Sequence, residues 1–208
     1  PYPSNIAVGG LPTAGVYVQS VCINGFGHTW PGDVDIALRS PSGQTVILMS
    51  DIGDAGPNGV AGRNLIFTDA APAIPVPIQS GTWRPMNSLG TFGVEPDNFP
   101  APGPGSLTQP NPALSMFSSS NNPNGNWQLL VLDDFAGDAG TISGGWCITF
   151  KIVPTASWTS SPAAPNTMFT DPAATVPYVA GSQADAIWVN PTTTTIYTAT
   201  FAAGPCAP

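Results

Sequence analysis

The residues of this chain that are best suited to chemistry are aspartates. Its 12 acidic residues include a single glutamate, Glu95, and the segment Asp133–Asp138 places three carboxylates within six residues. Carboxylate oxygens suit a hard cation such as Ca²⁺, whereas the alternative is that each aspartate caps its own turn through backbone N–H groups. The side chains predicted to bind calcium, if the fold brings them together, are Asp33, Asp35, Asp51, Asp54, Asp133, Asp134 and Asp138.

Catalytic chemistry has few candidates. His28 is the only histidine, and it lies beside a turn at Trp30, so a structural histidine that caps this turn is favoured over a general base. No nucleophile elbow, phosphate-binding loop, dinucleotide fingerprint or HExxH helix occurs. Asp133 and Asp134 are adjacent, and adjacent residues of a strand point to opposite faces, which makes them a poor acid/base pair. The sequence therefore predicts a protein that is not an enzyme.

Two of the three cysteines lie in predicted strands. Cys22 and Cys147 each lie on the face opposite to the apolar side chains of their strand. If the two strands are neighbours, the sulfurs form a disulfide; two buried free thiols are the alternative. Cys206 is then left over, and in a secreted chain it is expected to pair with a segment outside this sequence or with a neighbouring subunit.

Short β-prone runs bounded by turn residues recur along the chain. They are Gly15–Phe26, Val34–Arg39, Thr45–Ser50, Asn64–Thr68, Trp127–Leu132 and Trp146–Val153. The 23 glycines and 25 prolines interrupt any long helix. This spacing predicts an all-β sandwich or barrel, and the two-residue period of the last run predicts one face in the core and one in water.

Two segments differ in composition from these strands. The proline-rich segment Asn87–Asn126 is predicted to form long loops with one short hydrophobic insert, and it serves either as a functional surface or as an excursion pinned across a sheet. A boundary near Pro154 divides the chain into residues 1–153 and 154–208. The second part is predicted to be a smaller β unit, with too few strands for a complete immunoglobulin-type sandwich. Its strand signals are Thr175–Val179, Ala186–Val189 and Thr195–Ala202.

The composition excludes several classes of partner. Only 8% of residues are charged, the net charge is −8, and four cationic side chains cannot neutralise a nucleic-acid backbone or hold an anionic membrane surface. No apolar run is long enough to span a bilayer. A surface built from uncharged polar residues is typical of secreted or cell-surface β proteins. Because the chain begins at Pro1, we expect a processed product or a part of a longer polypeptide.

Five sequence blocks occur in a characteristic order over about residues 4–152. They are His28-Thr-Trp-Pro-Gly-Asp-Val-Asp-Ile, Ser40-Pro-Ser-Gly-Gln, Leu48-Met-Ser-Asp, Asn124-Gly-Asn-Trp-Gln-Leu-Leu-Val-Leu-Asp-Asp and Gly140-Thr-Ile-Ser-Gly-Gly-Trp-Cys-Ile-Thr-Phe. This region resembles the P domain (homo B domain) of kexin-like and furin-like proteases, in the variant found in bacterial exported proteins. The resemblance implies an eight-stranded jelly-roll sandwich that stabilises a catalytic domain or stands free. The tail from Ser157 to Thr200 is similar to the immunoglobulin-like repeats of modular bacterial surface proteins.

Three functions are compatible with these features. The favoured one is a non-catalytic structural or adhesive module, which joins other copies of itself or neighbouring domains of the same polypeptide into an extracellular fibre by strand addition. The apolar stretch Ile6–Val8 is a candidate donor strand. The second is an accessory domain of a secreted subtilisin-like protease. The third is a module that binds glycans through exposed aromatic rings, for which the candidates are Trp30, Trp83, Phe92, Phe99 and Trp158.

Overall fold

The computed structural model describes residues 2–53, 59–88, 96–117, 121–163 and 166–201. These residues form sixteen strands and two single-turn 3-10 helices, at Pro31–Asp33 and Leu114–Met116, and neither helix could cross a membrane. The strands are β1 (Ser4–Val8), β2 (Val16–His28), β3 (Val34–Arg39), β4 (Thr45–Ser50), β5 (Val60–Phe67), β6 (Gly81–Trp83), β7 (Met86–Asn87), β8 (Asp97–Phe99), β9 (Gly105–Leu107), β10 (Gly125–Asp133), β11 (Gly140–Ile142), β12 (Trp146–Ile152), β13 (Ala156–Ser161), β14 (Met168–Phe169), β15 (Trp188–Val189) and β16 (Ile196–Phe201).

Two five-stranded sheets contain most of these strands. The first sheet has the order β1-β10-β3-β4-β7, and the second contains β11-β2-β5-β6 with β12 also paired to β2. The pairs are antiparallel except β4 with β7 and β5 with β6. The fold is therefore an all-β sandwich, which confirms the fold class predicted from the spacing of the β-prone runs.

One hydrophobic core lies between the two sheets. The second sheet contributes fully buried residues such as Ile23 and Phe67, and the first contributes Ile36, Leu48 and the nearly buried Trp127. The indole ring of Trp127 packs edge-on against two aromatic rings, those of Phe117 and Phe150. Its N–H donates to the Pro123 carbonyl oxygen, so the polar atom of this buried ring is satisfied.

The first sheet is covered on both sides, which the two-residue period does not anticipate. All six residues of β4 and five of the six in β3 are buried. The outer face is covered by the hairpin β8–β9, whose Phe99 is fully buried against Ala37 and Leu130. Of the two explanations for the proline-rich segment, its described part takes the form of an excursion pinned across a sheet.

Cys22 and Cys147 form a disulfide bond. The two residues lie directly opposite each other in the antiparallel pair of β2 and β12, and their Cα atoms are 4.9 Å apart. The bond joins positions separated by 125 residues in the sequence. Of the two alternatives for these cysteines, the structure has the crosslink; Cys206 lies outside the described residues.

Residues 154–201 add two small sheets. Each contains two antiparallel strands, β13 with β16 and β14 with β15. The predicted strand Thr175–Val179 is wrong, because the carboxylate of Asp171 accepts the backbone N–H groups of Thr175 and Val176 and holds this segment in a turn. Of the strand predicted at Ala186–Val189, only Trp188 and Val189 form a strand, which is β15. The strand β13 was not predicted.

The apolar stretch Ile6–Val8 belongs to the first sheet. It forms the greater part of β1, and Ile6 lies opposite Trp127 in the pair of β1 and β10. This stretch was a candidate donor strand for a neighbouring molecule. In this structure its pairing partner is β10 of its own chain.

Candidate metal centre

Two strands of the first sheet and the proline-rich excursion bring three aspartates together. Asp35 lies in β3, Asp51 directly follows β4, and Asp97 begins β8. One carboxylate oxygen from each residue lies within 4.8 Å of those of the other two. We refer to these three residues as the acidic cluster. Asp35 and Asp51 are among the ligands predicted from the sequence, and Asp97 is not.

Local backbone geometry places these side chains on the covered face of the first sheet. A β-bulge shifts the register of β3 and β4, so that Ile36 pairs with Met49 but Ala37 pairs with Ile47. Bulges of this kind turn side chains to a new direction and are common beside functional sites. Asp51 then adopts a left-handed backbone with a φ of 54°, which aspartate tolerates better than most residues.

Two buried neutral side chains, Ser50 and Asn87, adjoin the acidic cluster. They lie opposite each other in the pair of β4 and β7. The Ser50 hydroxyl is 2.8 Å from Asp97 Oδ1 and 3.2 Å from Asp51 Oδ2, while Asn87 Nδ2 donates to Asp97 Oδ2 over 3.5 Å. A hydroxyl carries one proton, so it serves one carboxylate at a time.

Burial changes the acidity of the cluster. The exposed fraction of Asp35 is 2% and that of Asp97 is 7%. Burial, followed by repulsion from Asp97 and Asp51, raises the pKa of Asp35 to about 8, although a hydrogen bond from Ser50 opposes the change. Burial is also the main reason that the pKa of Asp97 is raised to about 6. Without a cation, the fold therefore holds these carboxyl groups at a cost in free energy when they are ionised.

No cationic side chain compensates for this charge in the part of the chain that the structure describes. The one ion pair there joins His28 to Asp133 and does not involve the acidic cluster. Asp35 Oδ1 is buried and has no hydrogen-bond partner. Since buried polar atoms are nearly always satisfied in folded proteins, this oxygen lacks the partner that such an atom usually has.

Asp33, Asp133, Asp134 and Asp138 are not members of the acidic cluster, although the charge of Asp134 acts on Asp35 and Asp97, and we call these four residues the outer acidic turn. Asp33 lies in the first 3-10 helix, and burial together with repulsion from Asp134, Asp138 and Asp133 raises its pKa. The carboxylate of Asp138 accepts a hydrogen bond from the Thr29 hydroxyl at 2.7 Å. The structure thus divides the predicted ligands into two groups; Asp54 lies outside the described residues.

His28 is held on both sides of its ring. Nδ1 lies 2.8 Å from the Trp30 carbonyl oxygen and 3.1 Å from the Trp30 backbone nitrogen, and Nε2 lies 3.2 Å from Asp133 Oδ2. The ring is buried and borders an open cleft of about 370 Å³ between the edges of the two sheets. Because both ring nitrogens have protein partners, the described geometry indicates that His28 holds the turn at Trp30 against Asp133 at the end of β10.

None of the described aromatic residues proposed for glycan binding is fully exposed. Phe99 is fully buried, so it is not available to a ligand, and Phe92 lies outside the described residues. Trp83 and Trp158 are half-buried, and their indole N–H groups donate to the backbone carbonyls of Gln79 and Ala184.

The chemistry available at the acidic cluster is that of oxygen atoms alone. Carboxylates, an amide oxygen and a hydroxyl can bind a hard cation, but they include no nucleophile with an adjacent base and no soft sulfur or imidazole ligand. Sequence reasoning missed Asp97 because the residue lies between Pro96 and Pro100 in a segment without periodicity. Comparisons with protein-family models, with curated proteins and with solved structures give no match for this chain.

Proposed function

We propose that this chain is a non-catalytic structural module of an exported protein, and that copies of it join by adding a strand to the outer edge of β16. The observation that carries this proposal is the small sheet of β13 and β16. In the described chain β16 pairs with β13 on one side, and no strand pairs with its other side. An edge strand of this kind presents unpaired N–H and C=O groups to which another strand can add.

The sequence of β16 lacks the usual protection of an edge. Its six residues, Ile-Tyr-Thr-Ala-Thr-Phe, contain no charge and no proline, and β-branched and aromatic residues dominate. The exposed fractions of Ile196 and Phe201 are 68% and 62%. A two-stranded sheet is marginally stable by itself in water, so an added strand lowers its free energy both by pairing and by apolar burial.

The distribution of exposed apolar side chains supports the same location. Six of the twelve large hydrophobic residues that are exposed in the described chain lie after residue 153, although this part is only about a quarter of the described chain. Exposed apolar side chains are more frequent in this part than in the rest of the described chain, and exposed apolar surface is a common feature of sites of protein association. The disulfide supports an oxidising compartment such as the cell exterior.

The test uses a charge placed on the edge. We expect wild-type chains to form larger assemblies as concentration rises, seen by sedimentation velocity and by negative-stain electron microscopy. Ile196→Lys should abolish them, because a lysine on an edge strand opposes pairing. The matched control is Ala7→Lys, which puts the same charge at an exposed position of another edge strand, β1. Monomers at all concentrations, or assembly that Ala7→Lys abolishes and Ile196→Lys does not, would contradict the proposal.

A second candidate, an accessory domain of a secreted subtilisin-like protease, is favoured by the sandwich fold in combination with the P-domain-like motifs. The blocks that carry the resemblance include all of β10 and parts of β3 and β12; β10 pairs with β3 in the first sheet, and β12 pairs with β2 in the second. This proposal predicts that the full open reading frame encodes a catalytic domain before Pro1. It also predicts that the protease loses thermal stability when this module is removed, and an unchanged melting temperature would contradict it.

A further inference from the structure

The acidic cluster combines two independent features. The first is the convergence of three carboxylates from three segments of the chain, with one oxygen from each lying within 4.8 Å of those of the other two. The second is Asp35 Oδ1, an oxygen of a 2% exposed residue that has no hydrogen-bond partner. Acidic residues alone often gather at a surface without a ligand, but an unsatisfied buried oxygen in such a group requires a donor or a cation.

We propose that Asp35, Asp51 and Asp97 bind a Ca²⁺ ion, with the side-chain oxygens of Asn87 and Ser50 as neighbouring neutral ligands. Two oxygens bound to one calcium at roughly 2.4 Å are at most about 4.8 Å apart, so the observed spacing is compatible with a shared ion. A cation also removes the repulsion among the three carboxylates and gives Asp35 Oδ1 a partner.

The set of donor atoms favours calcium over other metals. All candidate ligands are oxygens, which excludes the softer metals that select sulfur or imidazole. Magnesium usually takes one or two carboxylates and keeps several waters, whereas calcium accepts six to eight oxygens in a flexible arrangement. Three carboxylates with an amide and a hydroxyl nearby match the second pattern.

Binding at this position would fasten the excursion to the sandwich. Asp35 and Asp51 belong to the first sheet, while Asp97 belongs to β8 and is two residues from the buried Phe99. The ion would therefore join β3 and the end of β4 to the hairpin that covers them. Extracellular modules bind calcium with dissociation constants of roughly 10⁻⁴ to 10⁻³ M, a range suited to a structural clamp outside the cell.

Titration calorimetry of the full chain, stripped with EDTA, tests this proposal directly. We expect one Ca²⁺ per chain, and a rise in melting temperature in millimolar CaCl₂ relative to EDTA. Asp97→Asn keeps the shape of the side chain and should abolish both effects. The matched control is Asp138→Asn, which makes the same change of charge in the outer acidic turn and keeps an oxygen that can accept the Thr29 hydrogen bond. This control should bind calcium as the wild type does.

Two further measurements separate a cation site from a hydrogen-bonded cluster of carboxyl groups. In EDTA, Asp97→Asn should melt at a higher temperature than the wild type, because it removes a repulsive charge. Calcium should also slow proteolysis within residues 96–117 in the wild type and not in this variant. The proposal is overturned by absence of calcium heat and melting shift in the wild type, by binding of Mg²⁺ alone, or by loss of binding in Asp138→Asn with retention in Asp97→Asn.

Discussion

Removal of the Cys22–Cys147 disulfide should lower the free energy of unfolding by up to about 5 kcal/mol. The bond closes a loop that spans 125 residues. In the chain-entropy treatment, a crosslink over a loop of this length removes roughly 16 cal/mol/K of entropy from the unfolded chain, which is about 5 kcal/mol at 25 °C. Measured losses for native disulfides are commonly about 2–5 kcal/mol, so we expect a value in that range.

The folded state should contribute little to this loss. Cys147 is exposed and Cys22 is half-buried, so replacing both with alanine leaves no large cavity between the sheets. The ladder of β2 and β12 continues on both sides of the bridge, from Val16 opposite Ile152 to Ile23 opposite Trp146. The loss of stability therefore arises mainly from the greater entropy of the unfolded chain without the crosslink.

The assay is urea unfolding at 25 °C followed by tryptophan fluorescence, with the Cys22→Ala/Cys147→Ala double variant compared with the wild type. The slope of the free energy against urea should also increase, because an unfolded chain without the crosslink exposes more surface. Cys206→Ala is the control, since it removes the third thiol and leaves the bridge intact. A loss below about 1 kcal/mol with an unchanged slope, or an alkylated Cys147 in non-reduced peptides, would refute the reasoning.

Three further predictions follow from packing and charge. Gly140→Ala should lower the free energy of unfolding in urea by about 1–3 kcal/mol, because an added Cβ would lie 2.1 Å from Cδ2 of His28. Gly9→Ala is the control and should change stability little, because the space around Gly9 is open. Trp127→Ala should cost about 3–5 kcal/mol in the same assay, since it empties an aromatic site in the core. In EDTA the free energy of unfolding should fall as pH rises from about 4 to 8, because the raised pKa of Asp35 lets the folded state keep a proton that the unfolded state loses. Asp35→Asn should remove most of this dependence of stability on pH.

The strands of the sandwich could be predicted because their signals are local. The observed bounds of β3 and β4 are the predicted ones, since turn residues delimit each run and most residues within it are β-branched or apolar. The facing cysteines could also be anticipated, because the period of each strand determines which side a sulfur occupies. The small strands after residue 153 were harder to predict, because runs of two residues carry no periodicity and Asp171 holds one β-prone segment in a turn.

The acidic cluster could be predicted only in part, for a physical reason. Asp35 and Asp51 lie at the ends of strands that the sequence defines, so their proximity follows from pairing of β3 with β4. The position of Asp97 depends on the hairpin folding back over the sheet, a contact decided by the burial of Phe99 against Ala37 and Leu130. No local pattern encodes a contact of this range. The sequence therefore suggested a cluster of aspartates and two of its three residues.

The edges of the sheets explain why strand addition is proposed at β16 and not on the sandwich. β6 and β7 are edge strands of three and two residues, which is too short to accept a long partner. β12 carries Lys151, and the start of β1 is covered by Trp146, whose indole N–H donates to the Ser4 hydroxyl at 3.0 Å. β16 has six uncharged residues, and within the described residues one of its sides has no partner strand. Assembly at that edge and calcium at the acidic cluster involve different parts of the chain, so Ile196→Lys should leave calcium binding unchanged and Asp97→Asn should leave assembly unchanged.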